Sequence, residues 1–301
     1  MEFHLFHIIT FLMFVVVGTN ATILPPQLYW KSILPNTPMP KAITNFLHSA
    51  GYWSGWVDPS KCINLLNYKH AASETQLHDK SNVAIFFLEN ALHYGKKLNM
   101  QFTKTTSNNN GSKFLPKEVA DSIPFSSNKM ENILHKFSIK KGSKESEIVK
   151  NTINECEEKG IKGEEKLCVT SLESMVDFAT SKLGNNVEAI STEVEKESSE
   201  LQKYVIAKGV KKLGDNNKVV VCHKENYPYA VFYCHKMDTT KFYSVPLEGV
   251  DGNRVKAVAV CHTDTSKWNP KHIALQVLKV EPGTVPVCHF LSQDDVVWFS
   301  K

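Results

Sequence analysis

The sequence predicts an α+β fold: a helical, disulfide-clipped N-terminal and middle part packed on a C-terminal antiparallel β-sandwich or barrel that carries four Cys-His pairs. Three observations predict it. Between residues 116 and 200, apolar side chains recur at i, i+3 and i+4 among Lys, Glu and Ser, the pattern of half-buried helices. From residue 201 the period drops to two, and turn residues punctuate short β-branched runs, the pattern of strands. The pairs Cys222-His223, Cys234-His235, Cys261-His262 and Cys288-His289 all lie in or beside those runs, spaced CH-x10-CH-x25-CH-x25-CH.

The elements follow in order. Residues 8–17 are an apolar run of ten, too short to span a bilayer and followed by the small residues Gly18, Thr19 and Ala21. Residues 1–21 therefore read as a secretory signal peptide, residues 22–82 as the N-terminal segment of the mature chain, and residues 83–301 as the main domain. Residues 24–47 read as a Pro-rich extended segment followed by a short helix, and residues 85–88 as a buried strand. Asn110-Gly111-Ser112 is a glycosylation sequon at Asn110 in an Asn-rich loop. Residues 145–156 and 171–183 are helices, the second capped by Ser171 with Glu173 and Ser174 in its first turn. Cys156 and Cys168 flank a loop of eleven residues, and in an oxidising compartment they form a local disulfide worth about 3 kcal/mol. Residues 204–206, 218–222, 230–235, 254–262, 274–280 and 285–290 read as strands, with turns at 214–217 and 281–283.

The chain has 301 residues, 42% of them apolar, and a net charge of +4, enough for one or two globular domains and no argument for a nucleic-acid partner. No stretch after the signal peptide is apolar enough to cross a membrane as a helix.

The Cys-His pairs carry the chemistry. With 12 His in 301 residues, a given Cys precedes a His about once in 25 times, so four of the seven Cys doing so is no accident of composition. Adjacent residues on a strand point to opposite faces, so each pair sends its sulfur to one side and its imidazole to the other. Four such pairs can build a disulfide layer on one face and an imidazole cluster on the other. A zinc finger, by contrast, converges Cys and His on one ion at spacings that do not occur here. If the first two pairs form a hairpin symmetric about Pro228, Cys222 and Cys234 fall opposite each other. His223 and His235 then become diagonal neighbours about 7–8 Å apart at Cα, whereas a one-residue slip sends the two Cys to opposite faces. Cys222, Cys234, Cys261 and Cys288 allow three pairings. With the sulfurs oxidised, His223, His235, His262 and His289 form an all-imidazole donor set suited to copper, with zinc the weaker competitor on equal ligands. The other reading is four disulfide cysteines beside incidental surface histidines.

In count, order and spacing these pairs resemble the signature of the plant BURP-domain family. So do the stretch from Tyr29-Trp30 to Met39-Pro40, the run from Phe86-Phe87-Leu88-Glu89 to Gly95, the stretch from Cys156 through Cys168 to Met175, the segment Trp268 to His272, and Pro286-Val287-Cys288-His289-Phe290. Residues 83–301 are thereby identified as resembling a BURP domain. Without tandem repeats ahead of it, the chain is most similar to the unknown-seed-protein type. Asp295 stands where many members have a His. The resemblance implies a plant protein passing through the secretory pathway to a vacuole or to the extracellular space and cell wall, with roles in seed development or stress response. It implies copper held by the four His, with His93 and His272 as further candidates to complete a site. Some members resemble autocatalytic peptide cyclases, in which copper and dioxygen cross-link aromatic side chains of a core peptide in their own chain. Here Gly51, Tyr52, Trp53, Gly55 and Trp56 make the candidate core, which makes the N-terminal segment the candidate substrate. The other function class is a non-catalytic protein of vacuole or cell wall stabilised by disulfides. Cys62 is left over and has no assigned role.

Overall fold

The computed structural model describes residues 26–47, 86–102, 112–160, 163–196, 201–214 and 218–301. The signal peptide, the candidate core peptide at Gly51 to Trp56, Cys62 and Asn110 lie outside the described residues.

The chain opens with two helices, α1 (Pro26–Ile33) and α2 (Lys41–Thr44), then the strands β1 (Phe86–Leu88) and β2 (Lys97–Met100). Three helices follow: α3 (Lys117–Asp121), α4 (Met130–Lys136) and α5 (Lys144–Glu157). The strand β3 (Glu164–Val169) leads into α6 (Leu172–Leu183). From there the structure is almost all strand: β4 (Val187–Ile190), β5 (Glu193–Val194), β6 (Gln202–Ile206), β7 (Lys211–Leu213), β8 (Val219–Glu225), β9 (Val231–Met237), β10 (Thr240–Gly249) and β11 (Arg254–His262). A short helix, α7 (Ile273–Leu278), separates β11 from β12 (Val287–Phe290), and β13 (Val296–Ser300) closes the chain.

These elements make a mixed helix and antiparallel-sheet fold. One sheet has eight strands, in the order β1-β12-β11-β10-β6-β2, with β5 added beside β11 and β7 beside β10. The other has five, in the order β3-β9-β8-β13-β4. A cluster of buried side chains takes Val219 and Val221 from β8 and Val297 and Phe299 from β13, together with Phe242, Val258 and Val260 from β10 and β11, so the two sheets share apolar packing. The opposite face of the five-stranded sheet packs beneath α6, α1 and α2 in a cluster that includes Cys222, Cys234, Phe232 and Trp298. The opposite face of the eight-stranded sheet forms a third cluster, with Phe87, Tyr204, Leu247, Cys261 and Cys288.

Several expectations hold at the level of single residues. Ser171 caps α6 through a reciprocal capping box with Ser174, and Gly184 ends that helix at φ 80°. Cys156 and Cys168 are disulfide-bonded, their Cα atoms 5.6 Å apart. Other expectations need correction. Residues 274–280 do not form a strand: Ile273–Leu278 is helical, with Ala274 and Leu275 buried and His272 at the N-cap. A short apolar run carries too few residues for its period to separate helix from strand, and here the cap decided. Pro26–Ile33 is not extended but helical, with Trp30 buried. The loop closed by Cys156 and Cys168 contains most of β3, an edge strand on β9 in which exposed Glu165 and Leu167 alternate with partly buried Glu164, Lys166 and Cys168. The strand expected at residues 85–88 is present as β1, which pairs with β12, whereas β2, on β6, and β3, on β9, were not expected.

Candidate functional site

Strand register positions the site. On β8 and β9, Cys222 lies opposite Cys234 and the two are bonded. This is the register symmetric about Pro228, so His223 and His235 become diagonal neighbours on the other face. Their ring centroids are 5.3 Å apart and their Nε2 atoms 3.3 Å apart. On β11 and β12, Cys261 lies opposite and is bonded to Cys288. His262 and His289 repeat the diagonal arrangement, with stacked rings 5.6 Å apart.

The expected single disulfide layer is in fact two. Cys222–Cys234 lies in the core under the helices, and Cys261–Cys288 in the far core of the other sheet. The imidazoles point the opposite way from both and meet between the sheets. His223, His235, His262 and His289 line one cavity of about 130 Å³, walled otherwise by Val219, Val221, Phe242, Val260 and Thr240.

Hydrogen bonding sorts the ring nitrogens. His235 Nδ1 lies 2.8 Å from Glu164 Oε1, which also accepts from the Tyr233 hydroxyl at 2.9 Å. A carboxylate only accepts, so in the neutral ring the proton sits on Nδ1 and the lone pair on Nε2. His223 Nδ1 faces Asp295 Oδ2 at 3.5 Å, a long contact. Asp295 is itself held by the backbone N–H groups of Lys224 and Ser292, which donate at 3.1 and 3.0 Å. His289 Nδ1 faces the carbonyl oxygen of Phe290 at 3.3 Å. The two Nε2 atoms, 3.3 Å apart, are within reach of a hydrogen bond from one ring to the other. The separation also suits two nitrogens each about 2.0 Å from one ion.

His262 differs from the other three. Its Nδ1 is buried and has no hydrogen-bond partner among the described residues. Burial first, then the neighbouring His289, His235, His223 and His272, hold its pKa well below the ordinary histidine value. The ring is therefore neutral at pH 7 and keeps a lone pair. Among the described residues, no group of three or more His, Cys, Asp and Glu side chains stands assembled to hold a metal ion. The four imidazoles come as two close pairs lining one cavity.

The depressed pKa has a sign. As pH falls through about 6.5, the unfolded chain protonates this histidine while the metal-free fold keeps it neutral. The stability of the metal-free protein is then full above that pH and declines below it, by up to about 1.4 kcal/mol per pH unit from this residue. Urea unfolding at pH 7.5 and 5.5 should show a larger acid loss for the wild type than for His262→Gln. Equal losses would show that His262 is not buried neutral.

The remaining sequence candidates lie elsewhere. His93 is exposed, with Nδ1 3.1 Å from the carbonyl oxygen of Tyr94, and does not line the cavity. His272 accepts from the Ala274 N–H through Nδ1 at 3.2 Å and packs 4.4 Å from Trp268, whose ring lies 5.3 Å from His262. It stands behind the site. Sequence reasoning missed Glu164, Thr240 and Asp295 as site residues. Glu164 and Thr240 sit on strands that were not foreseen, and Asp295 drew notice only as a departure from a family His. The run from Glu164 to Lys166 is charged throughout and carries no apolar alternation to signal the first.

The class of protein is thus defined: two antiparallel sheets, each cross-linked by a disulfide between a pair of Cys-His strands, presenting four imidazoles to one cavity. The BURP domain family model matches residues 85–300, and the chain belongs to this family. It is 57% identical over 235 residues to BURP domain protein RD22 of Arabidopsis thaliana, which is 77% of this chain and 60% of that protein. It is 56% identical over 235 residues to BURP domain-containing protein 3 of Oryza sativa subsp. japonica, 77% of this chain and 54% of that one. To BURP domain-containing protein 5 of the same rice it is 43% identical over 291 residues, 93% of this chain and 88% of that protein. The chain therefore covers less than two thirds of the length of the first two relatives.

Proposed function

We propose that this BURP-domain protein binds Cu(II) through His223, His235, His262 and His289. The observation that carries the reading is the convergence of the four imidazoles, from two sheets, on one cavity. The six described Cys are tied up in disulfides, which leaves nitrogen donors in place of thiolates and favours copper over zinc. Behind His235 and His223, Glu164 and Asp295, with side chains 8% and 4% exposed, supply the carboxylates that hold ligating imidazoles in one tautomer and orientation. The valines and Phe242 make much of the remaining wall apolar. The same reading takes the two sheets as the halves of a sandwich closed over it. Bound copper supplies one-electron and dioxygen chemistry.

The substrate in this reading is the protein's own N-terminal segment, with Tyr52, Trp53 and Trp56 as the easily oxidised side chains and Gly51 and Gly55 supplying flexibility. Each cross-link removes two hydrogens, with dioxygen as the oxidant, so intact mass after copper and air reads it directly. The signal peptide, glycosylation at Asn110 and delivery to vacuole or cell wall belong to the same proposal. Three disulfides support an oxidising compartment.

A second reading is favoured by the absence, among the described residues, of an assembled group of three donors: a non-catalytic protein of vacuole or wall, stabilised by its disulfides. Elemental mass spectrometry and electron paramagnetic resonance on the purified secreted protein separate the two. The copper reading expects at least one copper per chain and a nitrogen-rich Cu(II) spectrum. A folded, metal-free protein that takes up no added Cu(II) overturns it.

A further inference from the structure

We infer that Thr240 is the binding residue for a small polar ligand, the size of water, hydroxide or azide, admitted to the four-imidazole cavity. This rests on the copper reading and extends it to what else the site takes.

Thr240 begins β10 and lies directly opposite His262 on β11. Residues opposite each other on paired strands share a face. Alternation along β10 puts Thr240 with Phe242, which packs between the sheets, while Lys241 and Tyr243 reach Glu89 on the other side. The Thr240 side chain is thus aimed at the cavity that it lines. It is 6% exposed, and its Oγ1 is buried with no hydrogen-bond partner among the described residues. A buried hydroxyl without a partner is disfavoured, and native structures pair nearly all of them, with protein, water or ligand. Apart from the imidazoles, the rest of the described lining is valine and phenylalanine, so among the described residues this hydroxyl is the one polar side chain beside the imidazoles. A hydroxyl both donates and accepts, so it can hold water, hydroxide or a small anion beside the imidazole nitrogens. At about 130 Å³ the space takes a ligand of a few heavy atoms and excludes a polypeptide backbone.

The test uses the full secreted chain loaded with Cu(II) and titrated with azide, followed by visible absorption and electron paramagnetic resonance. Thr240→Val keeps shape and β-branching while removing the hydroxyl, and Thr240→Ser restores it. We expect wild type to bind azide, Thr240→Val to bind it about three- to tenfold more weakly, and Thr240→Ser to stay within about twofold of wild type. Equal azide affinity in wild type and Thr240→Val overturns the inference. So does a wild-type copper spectrum that azide leaves unchanged, and in both cases the copper reading stands. A protein that takes up no copper on imidazole nitrogen sinks both.

Discussion

A protein carrying His223→Gln together with His262→Gln takes up no Cu(II) at stoichiometric concentration, while its secondary structure and melting behaviour stay close to wild type. The double substitution removes one imidazole from each pair, so neither sheet presents two nitrogens and no ion gathers more than two. Loss of affinity then exceeds the roughly 10–100-fold that losing an outer-shell partner costs a metal site. Glutamine suits the test better than alanine. It fills most of the imidazole volume, and its amide can donate to the buried carboxylate of Asp295 in place of the ring. The fold persists because the bonded sulfurs lie on the opposite strand faces, in apolar cores that the substitutions do not touch. Equilibrium dialysis with elemental analysis reads the result. Full copper stoichiometry in the double variant shows that the ligand assignment is wrong.

The largest stability loss is expected from Trp298→Ala. Trp298 heads the largest fully buried side chains, at 0% exposed. It sits on β13 opposite Val220 on one neighbouring strand and Ala189 on the other, and its ring lies 5.1 Å from that of Trp30. Trp30 in turn donates through Nε1 to the carbonyl oxygen of Thr37 at 2.9 Å, and the Thr37 hydroxyl donates to the carbonyl oxygen of Val187 on β4 at 2.6 Å, which ties the N-terminal helices to the sheet. Truncating such a tryptophan costs about 3–5 kcal/mol, a large part of the roughly 5–15 kcal/mol that holds a domain folded. At about 2–4 °C per kcal/mol for a chain near this size, the midpoint falls by on the order of ten degrees. Trp30→Ala should also destabilise, and the pair should be non-additive by about 0.5–3 kcal/mol because the rings touch. A loss below about 1 kcal/mol for Trp298→Ala, or strict additivity, rules out the packing of residues 26–47 on this sheet.

Much of this site was visible before the fold. The ten-residue spacing of the first two pairs allowed Cys222 to face Cys234 in a hairpin symmetric about Pro228, and the observed register then chose this over a one-residue slip. The 25-residue spacings carried no such constraint. Between β11 and β12 the chain makes an excursion through α7, so nothing local paired Cys261 with Cys288 or set His262 beside His289. The strand β10 escaped notice because Pro246 and several polar residues break its apolar alternation, although β11 pairs along its length. The helix α7 was mistaken for a strand because six residues show less than two helical turns.

The sequence alone determined the family, the alternation that separates sulfur from imidazole in each pair, the local disulfide between Cys156 and Cys168, and the capped helix after Ser171. All are local, decided by neighbours a few residues apart or by spacing within one hairpin. Only the tertiary structure decided that two disulfides occupy two cores, that four imidazoles share one cavity, and that Glu164, Asp295 and Thr240 surround it. Those depend on which strands become neighbours. That choice follows from burying three apolar faces at once across separations of up to about 130 residues between Glu164 and Asp295, and no short-range pattern encodes it.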